Sequence, residues 1–543
     1  MVKVTIMFGR NGLQDIRVND DYLDIDAIRE KQIEEWFEES EGRDGWEGLL
    51  NEIYNKIGDQ KVELTWEIWG SDELKNQVEK CLKKFNICNS TMTEKAVEDE
   101  ESNIWNEAEK YDHRGQYITA FKLYKNLADN YNRVEAQLKV AEYYAKNVVG
   151  DDEKSNKEKA FNYYEIAAEQ GNVIAQRELA NCYYFEEGIQ KDIHKAFEWY
   201  KKAAEQGDEW AQNNLASMYF NGEGVFKNLL KAYEWYKKAA TQGEKMAQFG
   251  LGCLYFNGQG VEKDLVKAYE WYKEAAKQGY ARAQNQLGNM YFNGQGVEKD
   301  LVKAYEWYKE AAEQGYAKAQ NRLGKMYSSG QGVEKDLVKA FEWYKKAAEQ
   351  GYVNAQKSLA DCYYNGEGIE KDFVKAYEWY KKAAEQGNID AQNSLADCYY
   401  DGKGVEKDFT KAFEWFEKTA NQGSAYGQHS LGYCYEKGEG IKKDFTKAYG
   451  WYKKAAEQGN IDAQEHLADC YYDGKGVEKD FTKAFEWFEK AANQGSAYGQ
   501  YSLGYCYEKG EGINKNKKEA IKWYKKAAEQ GEESAIEALD NMN

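Results

Sequence analysis

"YNGEGIEKDFVKAYEWYKKAAEQG", residues 364–387, places Gly366 and Gly368 ahead of an amphipathic run. A Gly-x-Gly before a helix has two physical readings. Bare backbone N–H groups at a helix start attract anions, so the pair can cradle a phosphate. Glycine also adopts the left-handed backbone that ends one helix and turns the chain toward the next. Copy number decides between them, because a catalytic cradle is needed once. Gly171, Gly207, Gly243, Gly279, Gly315, Gly351, Gly387, Gly423, Gly459, Gly495 and Gly531 are spaced by 36 residues each time. Nine full Gly-x-Gly pairs recur with them, from Gly222 and Gly224 to Gly510 and Gly512. No G-x-x-x-x-G-K-[ST] is present and no strand pattern precedes the pairs, so the glycines turn corners.

A fixed period of this size marks stacked supersecondary units. Counted from each spacing glycine in the ten complete repeats, Ala or Gly stands at +4, Gln at +5, Leu at +8, Ala or Gly at +9 and Tyr at +12. Gly follows at +15 in nine of them and at +17 in all ten, with Asp or Asn at +21, Ala at +25, Tyr or Phe at +26 in nine, Trp at +28, Ala or Thr at +32 and Ala at +33. Positions +4, +8, +11 and +12 share one face of a 3.6-residue helix, and so do +25, +28, +29 and +32. Each repeat is therefore predicted as two helices, A then B. The +15 glycine ends helix A. The +21 Asp caps helix B, although Lys at +24 leaves the capping box without its acidic partner.

The 543-residue chain is too long for one compact core. It has no proline, so no helix is broken in the usual way. A net charge of −20 disfavours nucleic acid and an anionic membrane surface as partners. Residues 1–100 hold 13 Lys and Arg against 24 Asp and Glu, a net of −11. No run of 18 apolar residues exists, and "MVKVTIMFGRNGLQD" is too polar for a signal peptide, which predicts a cytoplasmic protein.

"AQNNLASMYFNGEGVFKNLLKAYEWYKKAATQG" (211–243) resembles the Sel-one-like repeat (SLR), a relative of the tetratricopeptide repeat. The resemblance covers about residues 132–531. It implies a right-handed α-solenoid of about eleven repeats that serves as an adaptor for other proteins. Helix A would line the concave face, and no enzymatic chemistry comes with the repeat. The low Pro content with abundant Lys, Asn and Tyr suits a bacterial protein from an AT-rich genome.

The edges depart from the frame. Residues 103–131 read as a tetratricopeptide-like capping hairpin, and 532–543 as a C-terminal capping helix. In 134–171, Tyr163 replaces the Trp and three loop residues are added. Residues 388–459 and 460–531 are nearly the same 72-residue text, read as a duplicated repeat pair. Residues 1–93 differ in kind. "VKVTIMFG" and "VELTWEIWG" read as strands, and 25–40, 45–58 and 71–87 as helices. A small acidic α/β domain follows, with Trp36, Trp46, Trp66 and Trp69 in or near its core. The acidic stretch 94–102 is the expected linker.

Cys182, Cys362, Cys398, Cys434, Cys470 and Cys506 stand at +11, where Met218, Leu254, Met290 and Met326 stand in other repeats. A position shared by Cys, Met and Leu is a core position, so reduced buried thiols are expected. Cys81 and Cys88 have no strong metal-ligand spacing. His113, His194, His429 and His466 are scattered, so no metal site, no cofactor site and no catalytic residue is expected.

What varies within the fixed frame is +6, +7 and +10 of helix A. These positions hold Asn213, Asn214, Asn285, Gln286, Asn289, Asn321, Arg322, Lys325 and Asn393, then His429, Tyr433, Asp469, Tyr501 and Tyr505. Carboxamides donate and accept at once and so suit a peptide backbone. Tyr supplies contact area at small entropic cost. The leading expectation is a non-enzymatic scaffold that binds a protein or peptide along this surface. Two alternatives stay open: a catalytic or effector head targeted by the solenoid, and a self-associating structural protein.

Overall fold

The computed structural model describes residues 2–9, 12–18, 21–22, 62–68, 94–149 and 152–542, with side chains from residue 101 onward. It comprises two compact units, residues 1–271 and 272–543.

The first unit begins with β1 (Val2–Gly9), β2 (Gly12–Val18), β3 (Asp21–Tyr22) and β4 (Val62–Ile68), in the order β3-β2-β1-β4. β1 pairs antiparallel with β2, Ile6 opposite Ile16, and parallel with β4, Ile6 opposite Trp66. The helices expected at 25–40, 45–58 and 71–87 lie outside the described residues, as do Trp36, Trp46, Trp69, Cys81 and Cys88. An α/β domain at 1–93 is therefore not established. The acidic stretch 94–102 is helical, forming the first half of α1 (Glu94–His113). α2 (Tyr117–Asn130) completes a hairpin with it.

From there the chain is an α-solenoid. Twenty-five helices are present among the described residues, ending at α25 (Glu533–Met542). Most are 13 residues long, as in α15 (Val353–Asn365) and α16 (Phe373–Glu385).

Local chemistry sets these boundaries. Gly366 caps α15 with φ +76°, and its N–H bonds the carbonyl of Cys362. Gly368 does something different. A Cβ there would sit 2.0 Å from the carbonyl oxygen of Leu337, the first residue of the preceding B helix. The first glycine thus turns the chain and the second lets two repeats touch. Asp372 then caps α16 by accepting from the N–H of Lys375 at 3.0 Å. The Lys375 Nζ closes on the same carboxylate at 3.1 Å, where a capping box would place an acid. Both contacts hold the half-buried Asp372 carboxyl below its ordinary pKa, the backbone bond most of all.

Packing follows the helical phase. Ala355, Leu359, Ala376, Ala383 and Ala384 are fully inaccessible. The large side chain among them is Tyr380, 4% exposed, whose hydroxyl donates to Asp361 at 2.8 Å. The helix face that the periodicity assigns to +25, +28, +29 and +32 does not bury its two aromatics equally. The Trp one position earlier is half-buried at the rim, with Lys382 Nζ 4.1 Å from the Trp379 ring centre and Lys202 Nζ 3.6 Å from that of Trp199. The aromatic at +29 is the core anchor and the +28 Trp flanks it. Small residues at +9 make room for that anchor, since a Cβ on Gly324 would meet Tyr344 at 2.5 Å.

The Gln at +5 is explained by a buried amide ladder. Gln392, fully buried, donates to the Ala384 carbonyl at 3.0 Å and accepts from Gln422 at 3.0 Å. The same pair of bonds recurs at Gln212 and Gln464. Each ladder rung joins the end of one repeat to the start of the next.

The +11 cysteines are buried and unbridged. Burial pushes their thiols up to about 12, which leaves them protonated and inert.

Candidate functional site

The variable helix-A positions separate into three kinds. Asn213, Asn285, Asn321 and Asn393 at +6 are buried, 3–8% exposed. They were expected on an open surface, but neighbouring helices cover them. Asn213 donates to Asn214 at 3.3 Å and Asn393 to the Ser424 hydroxyl at 3.1 Å. The Oδ1 atoms of Asn285, Asn321 and Asn393 are buried without a hydrogen-bond partner among the described residues. Gln286 and Asn289 bond each other at 2.7 Å, and Asn289 accepts from the core hydroxyl of Tyr308 at 2.8 Å. Gln286 and Asn289 are thus engaged inside the repeat.

Arg322 and Lys325 are exposed and edge a hollow of about 260 Å³ beside Phe292 and Tyr308. They make the helix-A side cationic at that point.

The late-repeat residues lie in two clefts. The first, of about 510 Å³, brings His429 and Tyr433 of α19 (Ala425–Lys437) together with Asp397 and Tyr400 of α17 (Ile389–Asp401). Phe416 of α18 (Phe409–Asn421) and Tyr426 complete its walls. The second, of about 310 Å³, brings Tyr501 and Tyr505 together with Asp469, Tyr472, Phe488 and Tyr498. Each member of the second set lies 72 residues beyond a member of the first, with Tyr501 standing where His429 does. The duplicated text folds into a duplicated cleft.

The supporting contacts are also duplicated. Tyr426 donates to Asp397 at 2.8 Å, and Tyr498 to Asp469 at 2.9 Å. Tyr400 donates to Glu439 at 2.5 Å, and Tyr472 to Glu511 at 2.6 Å. Asp401 is neutralised by Lys403 at 2.8 Å, and Asp473 by Lys475 at 2.7 Å. Asp397 and Asp469 have no ion-pair partner among the described residues.

Burial raises the Asp397 carboxyl to about 6, against the opposing Tyr426 bond, and raises Asp469 in the same direction. Burial, then the nearby His466, lowers the His429 imidazole to about 4. The His429 ring centre lies 5.2 Å from that of His466, and its Nε2 is buried without a hydrogen-bond partner.

Sequence reasoning found the +6, +7 and +10 columns but missed Tyr400 and Tyr472 at +13, Tyr426 and Tyr498 at +3, and Asp397. The signal available was the duplication itself, which retains every one of them. A larger hollow, about 690 Å³, lies in the first unit near Glu186 and Gly188. It is lined by Lys and Glu side chains, with Lys157 and Glu153 paired at 2.9 Å, and it lacks aromatic walls. Its size alone gives it no chemistry. Among the described residues no His, Cys, Asp or Glu group of three could hold a metal ion, and no helix is long and apolar enough to cross a membrane.

The Sel1 repeat family matches this chain in eleven consecutive segments from 134–172 to 497–532. A protective antigen present in uropathogenic Escherichia coli strains and displaying an SLR fold is similar in structure, with TM-score 0.68 and 36% identity over 77% of this chain and 89% of that one. A Sel1 repeat protein from Oxalobacter formigenes gives TM-score 0.47 and 32% identity over 60% of this chain and 93% of that one. Comparison with curated proteins found no match.

Proposed function

This chain belongs to the Sel1 repeat family, and we propose that it is a non-enzymatic scaffold that binds an extended peptide or partner domain on the concave, helix-A side of its solenoid. Solenoids of this kind are generally protein-interaction scaffolds. One observation carries the reading further. Helix A buries its amides and small residues, yet leaves two aromatic clefts open at Tyr433 and Tyr505. Aromatic side chains around a desolvated polar group are the composition of binding hot spots. Residues 1–93 would act as a separate acidic module that recruits or regulates a second component, with 532–543 as the terminal cap. Unpaired buried thiols suit a reducing, cytoplasmic setting.

A photo-crosslinking amino acid placed at Tyr433 or Tyr505 of the full chain tests this, with Lys345 on an exposed helix-B position as control. The same protein captured at both cleft positions and absent at Lys345 supports the scaffold. Equal capture at all three positions, or none, overturns it.

A further inference from the structure

The paired clefts differ from the rest of the helix-A side in one respect. Each holds a carboxylate that lacks a counter-ion although a lysine is close by. In the first cleft Lys403 is committed to Asp401 and also donates to Tyr364 at 2.8 Å. In the second, Lys475 is committed to Asp473. Asp397 and Asp469 are satisfied on one side by a tyrosine hydroxyl and face the aromatic walls on the other. A half-buried carboxylate with one hydrogen bond is under-satisfied, because an ionised carboxyl accepts at about four positions. An aromatic wall attracts cations through its π-face, and arginine stacks there best. The Tyr400 and Tyr472 rings are held in place by their own bonds to Glu439 and Glu511, so the walls are pre-set. The net charge of −20 draws basic ligands in general.

We propose that Asp397 and Asp469 floor two equivalent receptors for basic side chains, and that the ligand of this face is an extended peptide presenting two arginine or lysine residues. The inference rests on the scaffold reading and names its ligand class. The guanidinium or ammonium group supplies the missing counter-ion, and its alkyl stem packs on Phe416 or Phe488. Two receptors on one continuous run of repeats favour a bivalent peptide over two separate side chains, since the second contact forms at high effective concentration. The second cleft presents the Tyr501 phenol where the first has the His429 imidazole, and would be the tighter.

The test uses the full chain and calorimetric titration with defined probes. These are N-acetyl-arginine amide, its citrulline counterpart, and a series of peptides carrying two arginines on Gly-Ser spacers of graded length. The arginine probe should fill two weak sites and the citrulline probe none. The best-spaced peptide should bind at least about tenfold more tightly than the single probe. Asp397→Asn and Asp469→Asn should each remove one site, and the double variant both. Tyr433→Leu and Tyr505→Leu weaken the walls while leaving the carboxylates, and should reduce each site severalfold. Circular dichroism checks that each variant stays folded. Equal binding of citrulline, or arginine binding unchanged in both the folded double Asn variant and the Leu variants, overturns the proposal. Failure is separable from that of the scaffold. A partner crosslinked at Tyr433 that the arginine peptides do not displace sinks the basic ligand and keeps the scaffold.

Discussion

The Tyr426 hydroxyl donates to the Asp397 carboxylate across 2.8 Å, from a residue in one repeat to a residue in the one before. The bond is an inter-repeat joint and the floor of a cleft at once. Its carboxyl sits at about 6, and the neighbouring His429 at about 4.

Those two groups give opposite pH dependences. Asp397 holds its proton more tightly when folded, so its contribution is complete below about pH 4 and is lost as pH rises to about 6. His429 excludes its proton when folded, so its contribution is complete above about pH 6.5 and is lost as pH falls to about 4. Asp397→Asn should therefore become progressively more stable than the parent between pH 4 and 6, by up to about 3 kcal/mol locally. His429→Tyr, which copies the second cleft, should gain over the parent as pH falls through the same range. Hydrogen exchange of residues 389–437 across this range checks both, and parallel profiles would refute the assignments.

Tyr380 and Trp379 adjoin in sequence but differ in burial. Tyr380→Ala empties the core between two helices and should cost about 3–5 kcal/mol. Trp379→Ala removes a half-buried ring and its Lys382 contact, and should cost less than half as much. In a quasi-one-dimensional stack the loss should spread to the adjoining repeats first. Site-resolved exchange protection reports the order, and a larger effect at Trp379 would reverse the core assignment.

Gln392→Ala removes one bond to the Ala384 carbonyl, which keeps the Gly387 N–H at 3.0 Å, and leaves the exposed Gln422 amide to water. The loss of the net hydrogen bond should cost about 0.5–1.5 kcal/mol. Denaturation of this variant should show early loss of residues 373–424, and an unchanged midpoint would mean the ladder adds nothing.

Two backbone substitutions separate turn from contact. Gly368→Ala drives a Cβ into the Leu337 carbonyl at 2.0 Å, whereas at Gly366 the nearest atom is the Lys371 Cβ at 3.4 Å. Both carry positive φ, so Gly368→Ala should be the more damaging by the clash alone. Glu186 occupies the equivalent of Gly366 with φ +64°, and Glu186→Gly should stabilise its repeat by about 0.5–1 kcal/mol. Thermal melts of the three variants give the ranking.

The period, the two-helix repeat and its caps were legible in the text, because each depends on residues within one turn of one another. Gly366, Asp372 and the apolar phase around Leu359 act locally, and local chemistry is written in local order. The N-terminal strands at Val2–Gly9 and Val62–Ile68 were legible in the same way. What lay beyond reach was which face the next repeat covers. The rotation between repeats buried Asn285 and Asn321, turned Trp379 to the rim and made Tyr380 the anchor. The same rotation assembled Asp397, Phe416 and Tyr433 from separate helices into one cleft. Sequence thus determined the helices and their number, since hydrogen bonding along the chain is short-range. Tertiary packing alone decided which polar groups were left facing open space, since that depends on the angle at which each repeat meets its neighbour.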